Sequence, residues 1–470
     1  MRKNNLKYFI IGAGATGGCI AGFLADAGKD VTLLARGRNL EAIRQHGLKI
    51  RREDQERRVA VRVVAEEEYS EKADIIFLCV KGYSLEETYS MIRKAAGQET
   101  VVIPILNIYG TGERMAKALP GIRVLNGCIY VAASVEEPGI LRMGSDIFRI
   151  VYGSVDGKKE DPMLARVEGD LREAGITPVY TSQVRRDTLQ KYAMVSPMAA
   201  VGAFYDIPAG EMQKPGEMRE RYKACVREID SLANAMGIPF SVDVVQTNLD
   251  ILDHMEPDCT ASMQKDLKKG GKSEIDGLIF EPVRMGRRYG VPVPNYEEIA
   301  AKFGYHYVDE MTVRRAGMED LAAVTAVEAA CFPEAEAAVE ETFRDRLLHF
   351  PDHFWLLEDR GKLVAFVNGM VTDEPDLSDA MYADASMHRE DGEWQMIFGV
   401  CTLPAYRRQG CAATLLQHAI EDARAQGRKG LVLTCKEQKL SYYGTFGFEN
   451  EGESESAHGG ARWYQMRITF

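Results

Sequence analysis

The chain has 470 residues, too many for one ordinary hydrophobic core, so two or three domains are expected. Hydrophobic residues make up 46% and charged residues 27%, which reads as soluble and globular rather than disordered. The net charge of −12 argues against general nucleic-acid binding, which needs basic patches.

The nine cysteines, at 19, 79, 128, 225, 259, 331, 401, 411 and 435, are odd in number and widely spaced. With no Cys-x-x-Cys, they read as reduced thiols of a cytoplasmic protein. The eight histidines form no His-x-x-x-His or Cys/His cluster, so no metal is expected. Met1-Arg2-Lys3 and the apolar stretch from Tyr8 resemble a signal peptide. Five glycines between Gly12 and Gly22 interrupt that stretch, and Asp26, Lys29 and Asp30 end it, so secretion is not expected. No run of eighteen apolar residues follows, and no membrane span is expected.

In chain order, Lys7–Ile11 is a short apolar strand, followed by a glycine turn and an alanine-rich helix to Ala27. Residues 31–35, 75–80 and 101–106 read as further strands. This rhythm predicts a doubly wound, mostly parallel sheet. Helical patterns then take over at 188–204, 217–236 and 273–289, with Pro292 and Pro294 closing the region. Near Thr312 the pattern changes again, to an edge strand at 313–316 and a helix from Glu319. Strands follow at 354–358, 363–368 and 396–402, then an amphipathic helix at 412–426 capped by Gly427. The expected domains are 1–183, 184–308 and 312–470, with a short connection around 304–311. The fold class is α/β: a Rossmann sheet, then an all-helical domain, then a second α/β domain.

Gly12-Ala13-Gly14-Ala15-Thr16-Gly17 follows a strand and opens a helix. Gly12 permits the tight turn, Gly14 lets a pyrophosphate approach the backbone, and Gly17 lets helix and strand pack closely. The helix start offers free N–H groups and a positive dipole end. The second strand runs into Arg36-Gly37-Arg38 with no carboxylate for a ribose hydroxyl. Arg36 suits a 2′-phosphate, so the expected cofactor is NADPH.

These residues, with Val80-Lys81, Leu106-Asn107 and Gly110, Gln190-Lys191, Ser262-Met263-x-x-Asp266 and Glu274-Ile275-Asp276, resemble the ketopantoate reductases (2-dehydropantoate 2-reductases) over about residues 5–300. The resemblance implies NADPH-dependent reduction of a ketone, a step toward pantothenate and coenzyme A. It implies that Lys191 polarises and protonates the carbonyl oxygen and that Glu274 stands near the substrate. Ser262 would contact substrate, and Lys81 and Asn107 would serve the cofactor side and the cleft. The chemistry agrees, because hydride arriving at a carbonyl carbon builds charge on oxygen that an ammonium can stabilise. Val195 and Ala199, one and two turns beyond Lys191, replace asparagines of familiar members, so the substrate can be another 2-oxo acid. Pro197 is expected to kink this helix.

Arg407-Arg408-Gln409-Gly410-Cys411-Ala412 follows a strand and opens the amphipathic helix. With residues 431–435 and Tyr442-Tyr443-Gly-Thr-Phe-Gly-Phe448, it resembles the pyrophosphate turn of the GNAT acetyltransferases, over about residues 312–470. Cys331-Phe-Pro-Glu-Ala-Glu336, Phe354-Trp355 and Leu433-Thr-Cys-Lys436 bring it nearest to bacterial relatives of arylalkylamine N-acetyltransferases. The resemblance implies acetyl-CoA as cofactor and Tyr443 as the acid that protonates the departing thiolate. Met396 and Phe398 stand where the animal enzyme has two histidines, so the general base is open between water and a carboxylate such as Glu393, and the amine is open too. The expected partners are a 2-oxo acid and an amine, with no nucleic acid and no membrane, in a homodimer. Two alternatives stay open: a coenzyme A-sensing module that regulates the reductase, and an NADPH sensor without turnover.

Overall fold

Runs such as Tyr8-Phe9-Ile10-Ile11 and Ile75-Ile76-Phe77-Leu78 are buried on both faces, as strands covered by helices on each side must be. In the computed structural model they lie at the centre of a six-stranded, all-parallel sheet. Its order is Arg62–Val64, Asp30–Leu34, Lys7–Ile11, Ala73–Leu78, Ala96–Pro104 and Arg123–Val124. The chain starts in the middle and winds outward in both directions. The order reverses beside Lys7–Ile11, where such sheets open a crevice for ligands. The structure describes residues 5–53, 55–154, 156, 161–306, 311–333, 336–456 and 460–470. Met1-Arg2-Lys3, most of the expected connection at 307–310, and Glu334-Ala335 of the Cys331 motif lie outside the described residues.

Two compact units divide the chain, Met1–Lys302 and Phe303–Phe470. Besides the parallel sheet, the first holds a second sheet, in the order Thr177–Tyr180, Ile140–Gly153, Leu48–Arg52, Gln55–Val59. The long strand Asn126–Glu137 also pairs with Ile140–Gly153. The sequence pattern did not suggest this sheet, because charged residues such as Arg142, Arg149 and Glu136 interrupt its apolar positions. A helical half follows: Val184–Tyr205, Glu217–Ala235, Val244–Asp253, Ser262–Lys268, Glu281–Tyr289 and Pro294–Lys302.

Two expectations change in the helical half. The helix expected over 273–289 opens with a π-turn at Asp276–Phe280 before Glu281–Tyr289 begins. Such turns widen the backbone and often mark functional sites. The long helix also runs unbroken through Pro197. Proline removes the N–H that would bond the Ala193 carbonyl. Asn248 replaces it, its Nδ2 donating to Ala193 O at 3.0 Å in a buried setting. The side chain from a neighbouring helix thus satisfies the acceptor that the ring orphans.

The second unit has two sheets. One is antiparallel, ordered Thr312–Arg315, Phe354–Asp359, Lys362–Asn368, Gly399–Thr402. The other is ordered Val371–Thr372, Trp394–Ile397, Gly430–Cys435, Tyr464–Thr469, Glu449–Glu453. The single strand expected over 396–402 is therefore two. Trp394–Ile397 pairs in parallel with Gly430–Cys435, whereas Gly399–Thr402 pairs with Lys362–Asn368. Phe398 sits at the divide, its N–H held by Asn368 O at 2.8 Å. The helix Cys411–Ala425 buries Leu415, Leu416, Ala419, Ile420 and Ala423 as its period requires, but Cys411 rather than Ala412 begins that stripe. No helix among the described residues is long and apolar enough to cross a membrane.

Candidate active sites

The glycine turn of the first unit has the geometry its spacing demands. Gly12 has φ of +109°, and a Cβ there would meet Cys79 O at 2.9 Å. A Cβ on Gly17 would stand 2.0 Å from Gly12 O, so helix and strand touch through backbone alone. Gly14 differs: it is exposed, and a Cβ would meet nothing within 4 Å. The open space lies at the N-cap of the helix Ala15–Asp26, whose first N–H groups have no partner within the helix. Asn39 braces the turn, giving its Nδ2 to Ala13 O at 2.5 Å and accepting Gly139 N–H at 2.7 Å. Thr16 and Ala15 are half-buried in the first helical turn. Arg36 is exposed at the N-cap of Gly37–His46, and its guanidinium makes no hydrogen bond or ion pair among the described residues. These residues fit a dinucleotide.

The loops after the fourth and fifth strands of the parallel sheet, Ala73–Leu78 and Ala96–Pro104, meet the helical half. Lys81 Nζ lies 3.0 Å from Asp266 Oδ2 and 3.2 Å from Glu274 Oε2, and Gly82 N–H donates to Glu274 Oε1 at 3.1 Å. Glu274 is almost wholly buried there. Ile108 wedges the same corner: a Cβ on Gly82 would meet its Cδ1 at 2.0 Å, and one on Gly277 would meet it at 2.4 Å. Hence Lys81, Glu274, Asp266 and the loop carrying Asn107 converge, though almost two hundred residues separate the ends. Asn107 is half-buried and Ser262 exposed, and neither side chain bonds to another described residue.

Lys191 occupies the same helix as Tyr192 and Ser196. Tyr192 donates to Gly277 O at 2.7 Å, and Ser196 donates to Leu278 O at 2.7 Å, so this helix is fastened to the π-turn just after Glu274. Lys191 itself forms no hydrogen bond or ion pair with Lys81 or Glu274. It is 9% exposed and forms no ion pair among the described residues. Burial lowers its pKa to about 8, against a small opposing influence of Cys128. The exposed, solvated position that a lysine on a helix usually takes is therefore not the one found. Val195 is half-buried and Ala199 fully buried, so this stripe offers no amide.

In the second unit the phosphate turn is built from backbone. Gly410 has φ of +97° and caps the helix Cys411–Ala425, and Arg408 has φ of +63°. The N–H groups of Cys411 and Ala412 begin the helix, which suits a pyrophosphate. Arg407 and Arg408 are exposed; Arg407 also donates to Thr402 O at 3.2 Å. The Gln409 and Cys411 side chains are committed elsewhere. Gln409 accepts His306 N–H at 2.7 Å and donates to Ala405 O at 2.9 Å. The Cys411 thiol is buried against Tyr406 O, and burial pushes its pKa up to about 11. Only the backbone of these two residues can serve a ligand. Tyr443 packs edge-on against Phe448, and burial raises its phenol far above the usual range. It stays protonated at neutral pH.

His353 comes within ion-holding reach of His388 and Glu390, which lie thirty-five residues and more beyond it in sequence. Their hydrogen bonds disfavour a metal. His388 Nδ1 accepts Val371 N–H at 3.1 Å, so its Nε2 carries the proton it shares with Glu390, and Arg428 takes the other carboxylate oxygen at 3.1 Å.

Fold and sites together define an oxidoreductase of the dinucleotide-binding kind, a Rossmann sheet completed by a helical half, followed by an acetyltransferase fold. Residues 8–157 match the family model Ketopantoate reductase PanE/ApbA, and residues 183–304 match its C-terminal model. Residues 321–448 match the Acetyltransferase (GNAT) family. The chain belongs to the ketopantoate reductase family and continues into a GNAT acetyltransferase domain. It is 24% identical over 296 residues to an uncharacterized oxidoreductase, YkpB, of Bacillus subtilis, covering 63% of this chain and 97% of that one. It is 26% identical over 299 residues to the 2-dehydropantoate 2-reductase of Aquifex aeolicus, covering 63% and 94%. A ketopantoate reductase structure from Ralstonia eutropha aligns with a TM-score of 0.58 at 25% identity, covering 63% and 97%.

Proposed function

We propose that the first unit reduces 2-dehydropantoate, or a related 2-oxo acid, to the 2-hydroxy acid with NADPH, and that the second acetylates an amine from acetyl-CoA. The buried, carboxylate-free Lys191 carries the first half of this reading. An acid that must donate at neutral pH works best with a pKa near the working pH, and Lys191 lies there. NADPH, when bound, supplies the hydride. Gly12, Ala13, Gly14, Ala15, Thr16 and Gly17 cradle its pyrophosphate through backbone, and Arg36 pairs with its 2′-phosphate. Asn107 and Ser262 orient the substrate, and Glu274, fixed by Lys81 and Gly82, sets the cleft wall. Lys191 holds the carbonyl oxygen and transfers its proton as charge builds there.

In the second unit, Arg407, Arg408 and the N–H groups of Gln409, Gly410, Cys411 and Ala412 receive the pyrophosphate of coenzyme A. Tyr443 gives its proton to the thiolate leaving group. Met396 and Phe398 can take no proton, so a water or carboxylate serves the amine. The residue ranges 1–183, 184–308 and 312–470 are the corresponding proposed domains, and the helical half is the proposed dimer surface.

The deciding experiment is a 2-oxo acid screen for NADPH oxidation, on wild type, Lys191→Ala and Arg36→Ala. Lys191→Ala is expected to lose at least a hundredfold in kcat. Arg36→Ala is expected to raise the KM for NADPH about tenfold and leave that for NADH unchanged. Full activity in the lysine variant would overturn the mechanism. An unchanged NADPH KM in the arginine variant would overturn the cofactor assignment.

A further inference from the structure

A buried ammonium normally keeps its charge through a carboxylate partner or loses its proton. Lys191 has no carboxylate partner among the described residues. Its Nζ instead stands 4.6 Å from the centre of the Tyr130 ring. Aromatic faces attract cations electrostatically without offering a hydrogen-bond acceptor.

The fold fixes this ring firmly. Tyr130 lies on the strand Asn126–Glu137, directly opposite Arg149 on Ile140–Gly153. The Arg149 guanidinium is 5.7 Å from the same ring. Three residues earlier, a Cβ on Gly127 would meet Pro104 O at 3.0 Å, so the strand runs beside the chain that leads to Asn107. The ring therefore stands on the strand that adjoins the loop carrying Asn107, beside Lys191. Other groups around Lys191 have separate engagements. Cys128 on the same strand is a buried thiol, and Asp187, one turn earlier on the lysine's own helix, is bonded to Arg186. From the helices packed on that helix, Tyr296 is bonded to Ser196 and Glu228 accepts from Asn295.

We propose that Tyr130 is a positioning residue for Lys191, its ring face holding the ammonium charged and in place while leaving all three N–H donors free for the carbonyl oxygen of the substrate. A carboxylate in that position would occupy one or two donors and hold the lysine a poor acid. An aliphatic wall would strip its proton. The ring does neither. In the step itself, hydride adds to the carbonyl carbon, the C=O π pair moves to oxygen, and one N–H bond of Lys191 breaks to give the hydroxyl. The neutral amine then regains a proton from solvent. This proposal rests on the reading of Lys191 as proton donor.

The test uses the full chain as wild type, Tyr130→Phe, Tyr130→Leu and Tyr130→Trp. The pH dependence of kcat/KM for NADPH oxidation with 2-dehydropantoate is measured between pH 6 and 10. Competitive labelling with trace acetic anhydride, read by peptide mass spectrometry, reports the Lys191 titration without substrate. Wild type is expected to lose activity as pH rises through about 8. Tyr130→Phe keeps that midpoint, and Tyr130→Trp keeps or raises it. Tyr130→Leu lowers it by about one pH unit, since the charged form loses its partner. A leucine variant whose rate falls at an unmoved midpoint would show mere structural support and overturn the proposal. So would a phenylalanine variant that shifts as far as leucine, or a tryptophan variant that shifts downward. Should the leucine variant fail to bind NADPH, the phenylalanine and tryptophan titrations decide. Absence of turnover, or full activity in Lys191→Ala, strikes the proton-donor reading instead, while the labelling titration still tests the ring.

Discussion

Each unit buries a cation that no carboxylate pairs with among the described residues, and the two are held in opposite ways. The Lys191 ammonium has an aromatic face and no hydrogen bond among the described residues. Arg346 in the second unit donates to Asn368 Oδ1 at 3.3 Å and to Tyr382 O at 3.0 Å, with its guanidinium 4.9 Å from the Phe398 ring and 5.6 Å from Phe343. Burial lowers both pKa values, that of the lysine from 10.5 to about 8 and that of the arginine from 12.5 to about 10. The lysine reaches the range where a proton can be exchanged at neutral pH. The arginine stays charged and acts as a fixed fork that spans a strand end and a short helix. Equal burial thus leaves a lysine that can exchange a proton near neutral pH in one unit and a permanently charged arginine in the other. The different starting pKa values of ammonium and guanidinium decide the charge, and donor occupancy decides which cation is held as a fork.

The largest expected effect breaks the comparison through stability. The folded-state pKa of Lys191 lies below its unfolded value, so the fold carries a charge-burial cost that is full below pH 8, shrinks between 8 and 10.5, and vanishes above. Lys191→Met should therefore stabilise the protein by about 3 kcal/mol at pH 7 and by almost nothing near pH 10.5. Urea unfolding of the first unit's transition at both pH values measures this. A destabilised methionine variant at pH 7 would contradict the burial argument.

Arg346→Met relieves a similar charge-burial cost but leaves Asn368 Oδ1 and the Tyr382 carbonyl without donors, which costs about 2 kcal/mol. Its net gain across pH 6 to 9 should therefore fall well below that of Lys191→Met. A rise in Tm as large as that of Lys191→Met would erase the distinction drawn between the two cations.

The smallest effect concerns two thiols that each lie beside a cation. Cys128 faces Lys191 but is buried, which pushes its pKa up to about 12. Cys331 is half-buried, bonded to Thr402 O at 3.2 Å and within reach of Cys401 and Arg407, which lower its pKa to about 7. Iodoacetamide labelling should reach half its maximal rate near pH 7 at Cys331, with Cys128 unreactive until strongly alkaline pH. Equal labelling at pH 7 would mean that burial does not separate the two thiols.

The glycine turn was legible in the sequence because its glycine spacing follows from the strand–turn–helix path itself, even though part of the crowding at Gly12 and Gly17 comes from Cys79 and Val80 after the fourth strand. Lys81, Glu274 and Asp266 were legible only through motif order, since nothing local says that they meet. Tyr130 left no signal, as a tyrosine in an apolar run reads as core. Its meaning comes from a helix sixty residues later. The divided strand at Phe398 and the capture of the Gln409 side chain by His306 N–H also depend on partners distant in sequence. Periodicity describes one element at a time, and these features belong to pairs of elements.

Pro197 and Asn248 carry a consequence for how this sequence can change. The amide at 248 has value because the proline orphans the Ala193 carbonyl, and the proline is tolerable because the amide is present. Replacing Asn248 first strands a buried acceptor, whereas replacing Pro197 first restores the helix bond and makes the amide dispensable. The second order is the tolerated route to losing both, so the two positions are epistatic: Asn248 is free to change only once Pro197 has changed.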